Sequence, residues 1–423
     1  MPGPLHGVKV IDFTEIIAGP MGGRLLADMG AEVIKVEPPW GEPWRFSQKF
    51  SATESRGFMA FNRGKMSLPL NLTKPEAQKI VHRLVKDADV SLMNYRPDVA
   101  AKLGVDYETL SALNPRLIYC EITAFGRQGP DSHRPGYDMI LQAMSGLMAA
   151  ETKVADGVPQ QISSSPVIDI TTGFSLAWCV CGALYARERT GRGQKVETSL
   201  LASSMGLLSS RLSQVDKLDT ENRKRALEQL EAKRAEGASY QELLDASPAS
   251  RRQRHHGNVY YRVYETKDGQ IAVGCLSDPL RRRLADTLGL TDPRLDAGFH
   301  IDTPETQAIG IDMEKQAVVL FREKTSEEWL TLLEGRGIPA GPMRFVEELF
   351  EDPQIRANEL LTEVEHHEAG TVTTMGAVAK FSDTPFEVDS ASPALGQHSE
   401  GILLDLGYSK SEIKEWREAG IVG

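Results

Sequence analysis

The sequence predicts an α/β fold built on a mostly parallel sheet, followed by a smaller α+β unit. Three observations carry that expectation. Strand-like and helix-like apolar spacing take turns along the N-terminal part of the chain, the pattern of strands joined by crossover helices. A charged, alanine-rich stretch from about Gln214 to Arg254 then breaks the pattern. After it, two strand-like runs flank Asp268-Gly269, a hairpin turn signal.

The elements follow in order. Val8 to Phe13 alternates as a strand, Pro20 to Met29 reads as a helix, and Glu32 to Val36 is a second strand ending at Glu37, so the chain opens as βαβ. A helix over Pro75–Lys86, a strand at Val90–Met93, a helix from about Tyr107 and a strand at Leu117–Ile122 continue the alternation. In such a sheet the functional residues lie beyond the C-terminal ends of the strands, where Asn94 to Pro97 and Thr123 to Gly126 fall. Pro166 to Gly173 leads into a long helix ending near Thr190, with Gly191 suited to the position after its end. The expected organisation is a large domain over 1–212, a linker with exposed helices over 213–256, a small α+β domain over 257–339, a return linker over 340–370 and a C-terminal segment over 371–423 with a closing helix at Lys410–Ala419.

Composition excludes several function classes. The 423 residues carry a net charge of −11, and a duplex-binding protein needs a strongly basic face, so nucleic acid is not an expected partner. Met1 to His6 lacks the basic start of a signal peptide, and the apolar stretch Gly173–Ala186 is short for a bilayer, so neither secretion nor a membrane span is expected. Cys120, Cys179, Cys181 and Cys275 match no zinc or disulfide spacing, and reduced thiols in the cytoplasm are the default reading. The basic run Arg251, Arg252, Arg254, His255 and His256 suits a solvated surface, with a polyanionic ligand as the alternative.

Gly19, Gly22 and Gly23 with an acidic residue ending the second strand raise a dinucleotide-binding reading. The spacing Gly19-Pro20-Met21-Gly22-Gly23 fails the G-x-G-x-x-G fingerprint, although Pro20 at a helix start leaves free N–H groups for some phosphate. Asp169 stands where the long helix begins. It reads either as an N-cap worth about 1 kcal/mol or as a nucleophile that the positive helix end keeps ionised.

Many in-order segments resemble the class III CoA-transferase family, over nearly the whole chain. They include Ala18-Gly19-Pro20, Leu26 to Glu37, Asn62 to Lys65, Ala124-Phe125-Gly126, Gly136-Tyr137-Asp138, Thr190 to Gln194, Gly337 to Pro342 and Leu395 to His398. The resemblance implies a Rossmann-like large domain completed by the C-terminal segment, a small domain, and an interlocked homodimer with its site at the subunit interface. It implies that Asp169 attacks an acyl-CoA thioester and passes CoA to a carboxylic acid through aspartyl-acyl anhydride and aspartyl-CoA intermediates. Neither a metal nor a tightly bound cofactor is expected, and coenzyme A enters as part of the substrate.

The resemblance places CoA along Ile17, Ala18, Leu70, Asn71, Leu72, Thr73, Asn94, Tyr95, Arg96, Lys102, Pro135, Gly136, Tyr137 and Asp138. An acidic chain needs cations for the CoA phosphates, and Arg45, Lys65, Arg96 and Lys102 are the candidates. Arg96, Arg127 and Arg134 could pair with a second carboxylate of a dicarboxylic substrate. Ile17, Pro38 and Arg252 to Val259 depart from the pattern of formyl-CoA transferases, which leaves the acids open. The alternative within the superfamily is an α-methylacyl-CoA racemase, but Tyr137 stands where those relatives carry a histidine base. A NAD-dependent oxidoreductase and a CoA-binding scaffold are the readings outside it.

Overall fold

A computed structural model describes residues 2–247, 257–296, 303–388 and 390–423. They form two compact units, Met1–Arg225 with Arg356–Gly423, and Ala226–Ile355.

The first unit carries, in order, β1 (Lys9–Asp12), α1 (Ala18–Asp28), β2 (Glu32–Glu37), α2 (Arg56–Asn62), β3 (Lys65–Pro69), α3 (Pro75–Lys86), β4 (Val90–Met93), α4 (Pro97–Lys102), α5 (Tyr107–Leu113) and β5 (Ile118–Thr123). Then come α6 (Asp138–Met144), α7 (Leu147–Ala150), the short strands β6 (Val154–Ala155) and β7 (Val158–Pro159), α8 (Val167–Thr190), β8 (Lys195–Ser199), α9 (Leu200–Leu207) and α10 (Ser209–Leu212). The main sheet has the order β3-β2-β1-β4-β5-β8 with every pairing parallel, and its order reverses between β1 and β4. That order is the doubly wound one, whose ligands bind beyond the strand ends at the reversal.

Both faces of the sheet are covered. On one, Leu25 and Leu26 of α1, Leu176 and Val180 of α8, and Val10, Leu92 and Ile122 of the strands share a core. On the other, Ile80 and Leu84 of α3 meet Ile11, Ile34 and Tyr119. The C-terminal segment joins this second core through Ile402, Leu403, Ile413, Ile421 and Val422, and the Gly423 N–H donates to Pro69 O at 3.0 Å.

Helix α1 begins at Ala18, two residues before the proline taken as its first. Pro20 still falls in the first turn, where its missing N–H costs no intrahelical bond. The glycines serve close packing rather than a phosphate turn: a Cβ on Gly19 would lie 2.2 Å from Thr14 Cβ, and one on Gly22 2.5 Å from Leu176 Cδ2. Helix α8 spans 24 residues, longer than the apolar stretch suggested, and by length and composition it could cross a membrane. Here Ile168, Thr172, Leu176, Val180 and Ala183, at helical spacing, are buried.

The second unit differs from expectation at both ends. Its boundary falls inside α11 (Asp216–Ala235), a helix with no buried residue, ahead of α12 (Tyr240–Ala246). Strands β9 (Tyr261–Glu265) and β10 (Gln270–Gly274) make the expected hairpin, but β11 (Ala340–Pro342), placed in a linker by the sequence, pairs with β10 as the third strand. Helices Asp278–Leu288, Pro304–Phe321 and Ser326–Gly335 complete its core, where Tyr264 stacks on Phe321 at 3.9 Å between ring centroids. The basic run Arg251 to His256 lies outside the described residues. In the first unit, β12 (Leu361–His366) and β13 (Gly370–Met375) pair antiparallel, again inside a stretch taken as linker and tail.

Candidate active site

A cleft of about 680 Å³ opens at the sheet's reversal point. The loop after β1 brings Glu15, Ile16, Ile17 and Ala18; the end of β4 brings Asn94, Tyr95 and Arg96; and the end of β5 brings Ile122, Thr123 and Ala124. Pro43, Pro97, Asp98, Leu200, Asp169, Arg127 and the run Ser132 to Tyr137 complete the wall.

Two fasteners hold the β1 loop. The Asn94 side chain spans the reversal point, accepting from the Glu15 N–H at 3.0 Å and donating to the Glu15 carbonyl at 2.9 Å. Ile16 sits at φ +74°, a strained region for a β-branched residue, and its N–H donates to Glu42 Oε2 at 3.0 Å. The strain turns the chain directly into α1, whose first residues meet the cleft with no side chain capping them. Free N–H groups at a helix start favour an anion there.

Asp169 lies in the first turn of α8, and it is not the cap. Asp138 plays that part: its Oδ2 accepts the N–H groups of Ile168 at 2.7 Å and Asp169 at 3.1 Å, while its Oδ1 accepts from Gln142. The Asp169 carboxyl is therefore left to the cleft. Burial, and then the nearby Asp138 carboxylate, push its pKa up to about 7. Desolvation and this like charge act against the helix start, which favours an ionised carboxyl there. Glu15 is raised too, by burial first and by Glu42 and Glu37, with Lys35 and a hydrogen bond from Tyr95 pulling the other way.

Of the residues expected to hold CoA, Ile17, Ala18, Asn94, Tyr95, Arg96, Pro135, Gly136 and Tyr137 line this one cleft. The others stand elsewhere. Asp138 is consumed as the cap of α8. Arg45 is fully buried, paired with Glu37 at 2.7 Å and Glu54 at 3.3 Å, and lies 3.6 Å from the Phe58 ring centroid. Lys65 is buried against Asp12 at 2.8 Å, and that burial, opposed by Asp12, drops its pKa to about 8. Neither can reach a phosphate in solvent. Leu70 and Leu72 belong to the core, the Asn71 N–H donates to Ile421 O, and Thr73 is exposed. Lys102 is exposed and off the cleft, 3.9 Å from Asp98.

Arg96, Arg127 and Arg134 all line the cleft, and each already holds an acid: Asp98 at 2.9 Å, Glu121 in a two-pronged pair, and Asp131 at 2.8 Å. Thr123, marked by the sequence as a strand-end position, lines the cleft, whereas Glu15, Ile16, His133 and Leu200 carry no such mark in the sequence analysis. Glu15 and Leu200 sit just past the ends of β1 and β8, positions that the strand-end rule marks as well. No opposed acid and base stand at Gly136-Tyr137-Asp138, since Tyr137 is 66% exposed and Asp138 is spent on the cap. The geometry does not favour the racemase.

Among the described residues, Glu54, His366 and His367 bring possible ligand atoms within 4.8 Å of one another. His366 Nδ1 accepts the N–H groups of Glu368 and Ala369, each at 3.2 Å. The neutral ring then carries its proton on Nε2, the atom facing Glu54, and offers no lone pair to an ion there.

The model of CoA-transferase family III matches residues 5–399. The succinate–glutarate CoA-transferase of Agrobacterium fabrum is 33% identical over 95% of this chain and 96% of its own length. The acetyl-CoA:oxalate CoA-transferase of Acetobacter aceti is 32% identical over 97% of each chain. The solved structure of a CaiB/BaiF family protein from Brucella suis superposes with a TM-score of 0.73 at 31% identity, covering 96% of this chain and all of that one.

Proposed function

The chain belongs to CoA-transferase family III, and from that premise we propose that Asp169 carries CoA from the thioester of a short dicarboxylic acid to a second free acid. The observation behind this is a carboxyl relieved of capping, set in the first turn of α8 and open to the cleft at the reversal point. The Asp169 carboxylate attacks the thioester carbonyl, the C–S bond breaks, and CoA leaves as a thiolate from a mixed anhydride. The thiolate attacks the Asp169 acyl carbon, giving an aspartyl-CoA thioester and the donor acid as a carboxylate. The acceptor carboxylate then attacks that thioester and expels the thiolate, whose return to the acceptor's acyl carbon yields the new acyl-CoA and restores Asp169. Thioester energy is conserved and covalent catalysis divides the exchange into easier steps. The uncapped start of α1 beside Ile17 and Ala18 supports oxyanion stabilisation by backbone N–H groups.

The dicarboxylic preference is drawn from relatives whose names specify glutarate and oxalate, and from three arginines on the cleft wall. A homodimer belongs to the same reading. Phe174, Trp178 and Tyr185 form an apolar stripe on α8, 42%, 76% and 62% exposed, of the kind a second copy covers. The test is incubation with succinyl-, glutaryl- and oxalyl-CoA, hydroxylamine trapping and peptide mass spectrometry. A hydroxamate on Asp169, absent from Asp169→Ala, is expected. Its absence with all three thioesters would remove the covalent mechanism.

A further inference from the structure

A second cavity, of about 240 Å³, lies in the same unit between α2 and the β12–β13 hairpin, and it shares no lining residue with the cleft. Met59 and Ala60 of α2, Val364 and Val372 of the hairpin, and Ala391 give it an apolar wall. Two polar groups break that wall. Among the described residues, the Ser392 hydroxyl has no hydrogen-bond partner although Ser392 is only 4% exposed, and the exposed guanidinium of Arg56 has no acid paired with it.

The charge behind the wall is lopsided. Arg63, also on the lining, donates to Asp28 through Nε at 2.9 Å and Nη2 at 2.8 Å. Buried Arg24 lies 3.4 Å from the same carboxylate and donates to the carbonyl of Ala60, a lining residue, at 3.1 Å. Two guanidiniums share one acid. Burial, opposed by Asp28 and joined by Arg63, drops the Arg24 pKa to about 10, and Arg24 Nη2 is buried with no partner. With Arg56, three cations stand against a single carboxylate, and positive charge held near a low-dielectric wall without its counter-charge favours an anion there.

We propose that this cavity binds a small aliphatic monocarboxylate, its charged end on Arg56 and the Ser392 hydroxyl and its chain against Met59, Val364 and Val372. A hydroxyl and a guanidinium both donate, and a carboxylate offers acceptors alone. The apolar wall selects an acid with a chain over an inorganic anion, which has no apolar surface to bury. The volume of about 240 Å³ exceeds the roughly 150 Å³ that takes a benzene and stays below the ~300 Å³ where drug-sized pockets begin, so the chain is short. The site stands apart from the transfer reading, because none of its residues lines the cleft.

The test is calorimetry on the full-length protein with butyrate, and with butyramide as its uncharged counterpart. Butyrate binds, and butyramide binds about tenfold more weakly or less, having no charge-assisted hydrogen bond to gain. Arg56→Gln weakens butyrate about tenfold and Ser392→Ala about fivefold, the worth of a charged and of a neutral donor. Neither change is expected to harm the fold, since Arg56 is exposed and Ser392→Ala removes a hydroxyl that nothing satisfies. Butyrate raises the melting temperature of the parent protein and leaves that of Arg56→Gln in place. Butyrate affinity untouched by both substitutions overturns the proposal, as does butyramide or inorganic phosphate binding as tightly as butyrate. Binding that falls with Arg127→Gln and survives Arg56→Gln puts the acid in the cleft and overturns it too. So does the absence of any binding, and a benzophenone side chain in place of Arg56 that joins two chains under light then gives the occupant as a second copy.

Discussion

Asp169 and Glu54 are two carboxyls of the same unit whose pKa values are both pushed up to about 7, yet they sit in unlike surroundings. Asp169 owes its shift to burial and then to Asp138, and it opens onto a cleft walled by the ends of β1, β4, β5 and β8. Glu54 is also raised mainly by burial, but it is closed in against Arg45, His366 and His367. The same shift therefore falls on the proposed nucleophile in one place and on a buried charge without full compensation in the other. What separates them is access, together with an uncapped helix start beside Asp169 to meet developing negative charge.

That contrast breaks most sharply under mutation of the two acids. Asp169→Ala is expected to lower kcat by about 10⁴-fold or more, as removal of a covalent nucleophile does, while Glu54→Gln keeps kcat within about threefold. Steady-state assays of CoA transfer with both variants check this, and comparable losses would erase the distinction. The pH profile sharpens it: kcat should rise with pH toward a plateau above about 7 as Asp169 ionises, and Glu54→Gln should leave that limb in place.

Next in size is the interior itself. Lys65→Met leaves Asp12 buried without its partner and should cost about 3–5 kcal/mol in denaturant unfolding, whereas Lys102→Met, on an exposed cation, should stay within about 0.5 kcal/mol. Equal effects would show that the two lysines share one role after all.

The smallest expected effect concerns the energetic cost of the site. An acid whose folded pKa is raised has its stabilising contribution below the unfolded value and loses it as pH climbs to the folded one, for Asp169 from about 4 to about 7. Asp169→Asn should accordingly stabilise the protein by roughly 1–3 kcal/mol at neutral pH and not in acid. Thermal melts at about pH 4 and about pH 8 check the sign, and an equal change at both would assign the effect to something other than ionisation.

Which site residues were legible depended on where their partners lie along the chain. Asn94, Tyr95 and Arg96 follow directly from the end of β4, and in a parallel sheet that position faces the ligand side whatever the details of packing. Arg45 and Lys65 looked like cations waiting for a phosphate. Lys65 is taken by Asp12, 53 positions away, and Arg45 is closed in by Glu37, Glu54 and the Pro393 carbonyl. No local signal announces such a partner. Glu15 is the opposite case: it lies shortly after β1, on the same side of the sheet as Asn94 after β4, a position set by local order along the chain.

The sequence by itself determined the alternation of strands and helices, the position of Asp169 where a long helix begins, and the family, because each of these is written in local periodicity or in contiguous motifs. Only the tertiary structure decided that Asp138 rather than Asp169 caps α8, that α1's glycines serve packing against Thr14 and Leu176, and that Lys35, Arg45 and Lys65 each meet a buried carboxylate. Desolvation and charge pairing reach across the fold between residues remote in sequence, and those two effects set which carboxyl is capped, which is neutralised and which is left to react.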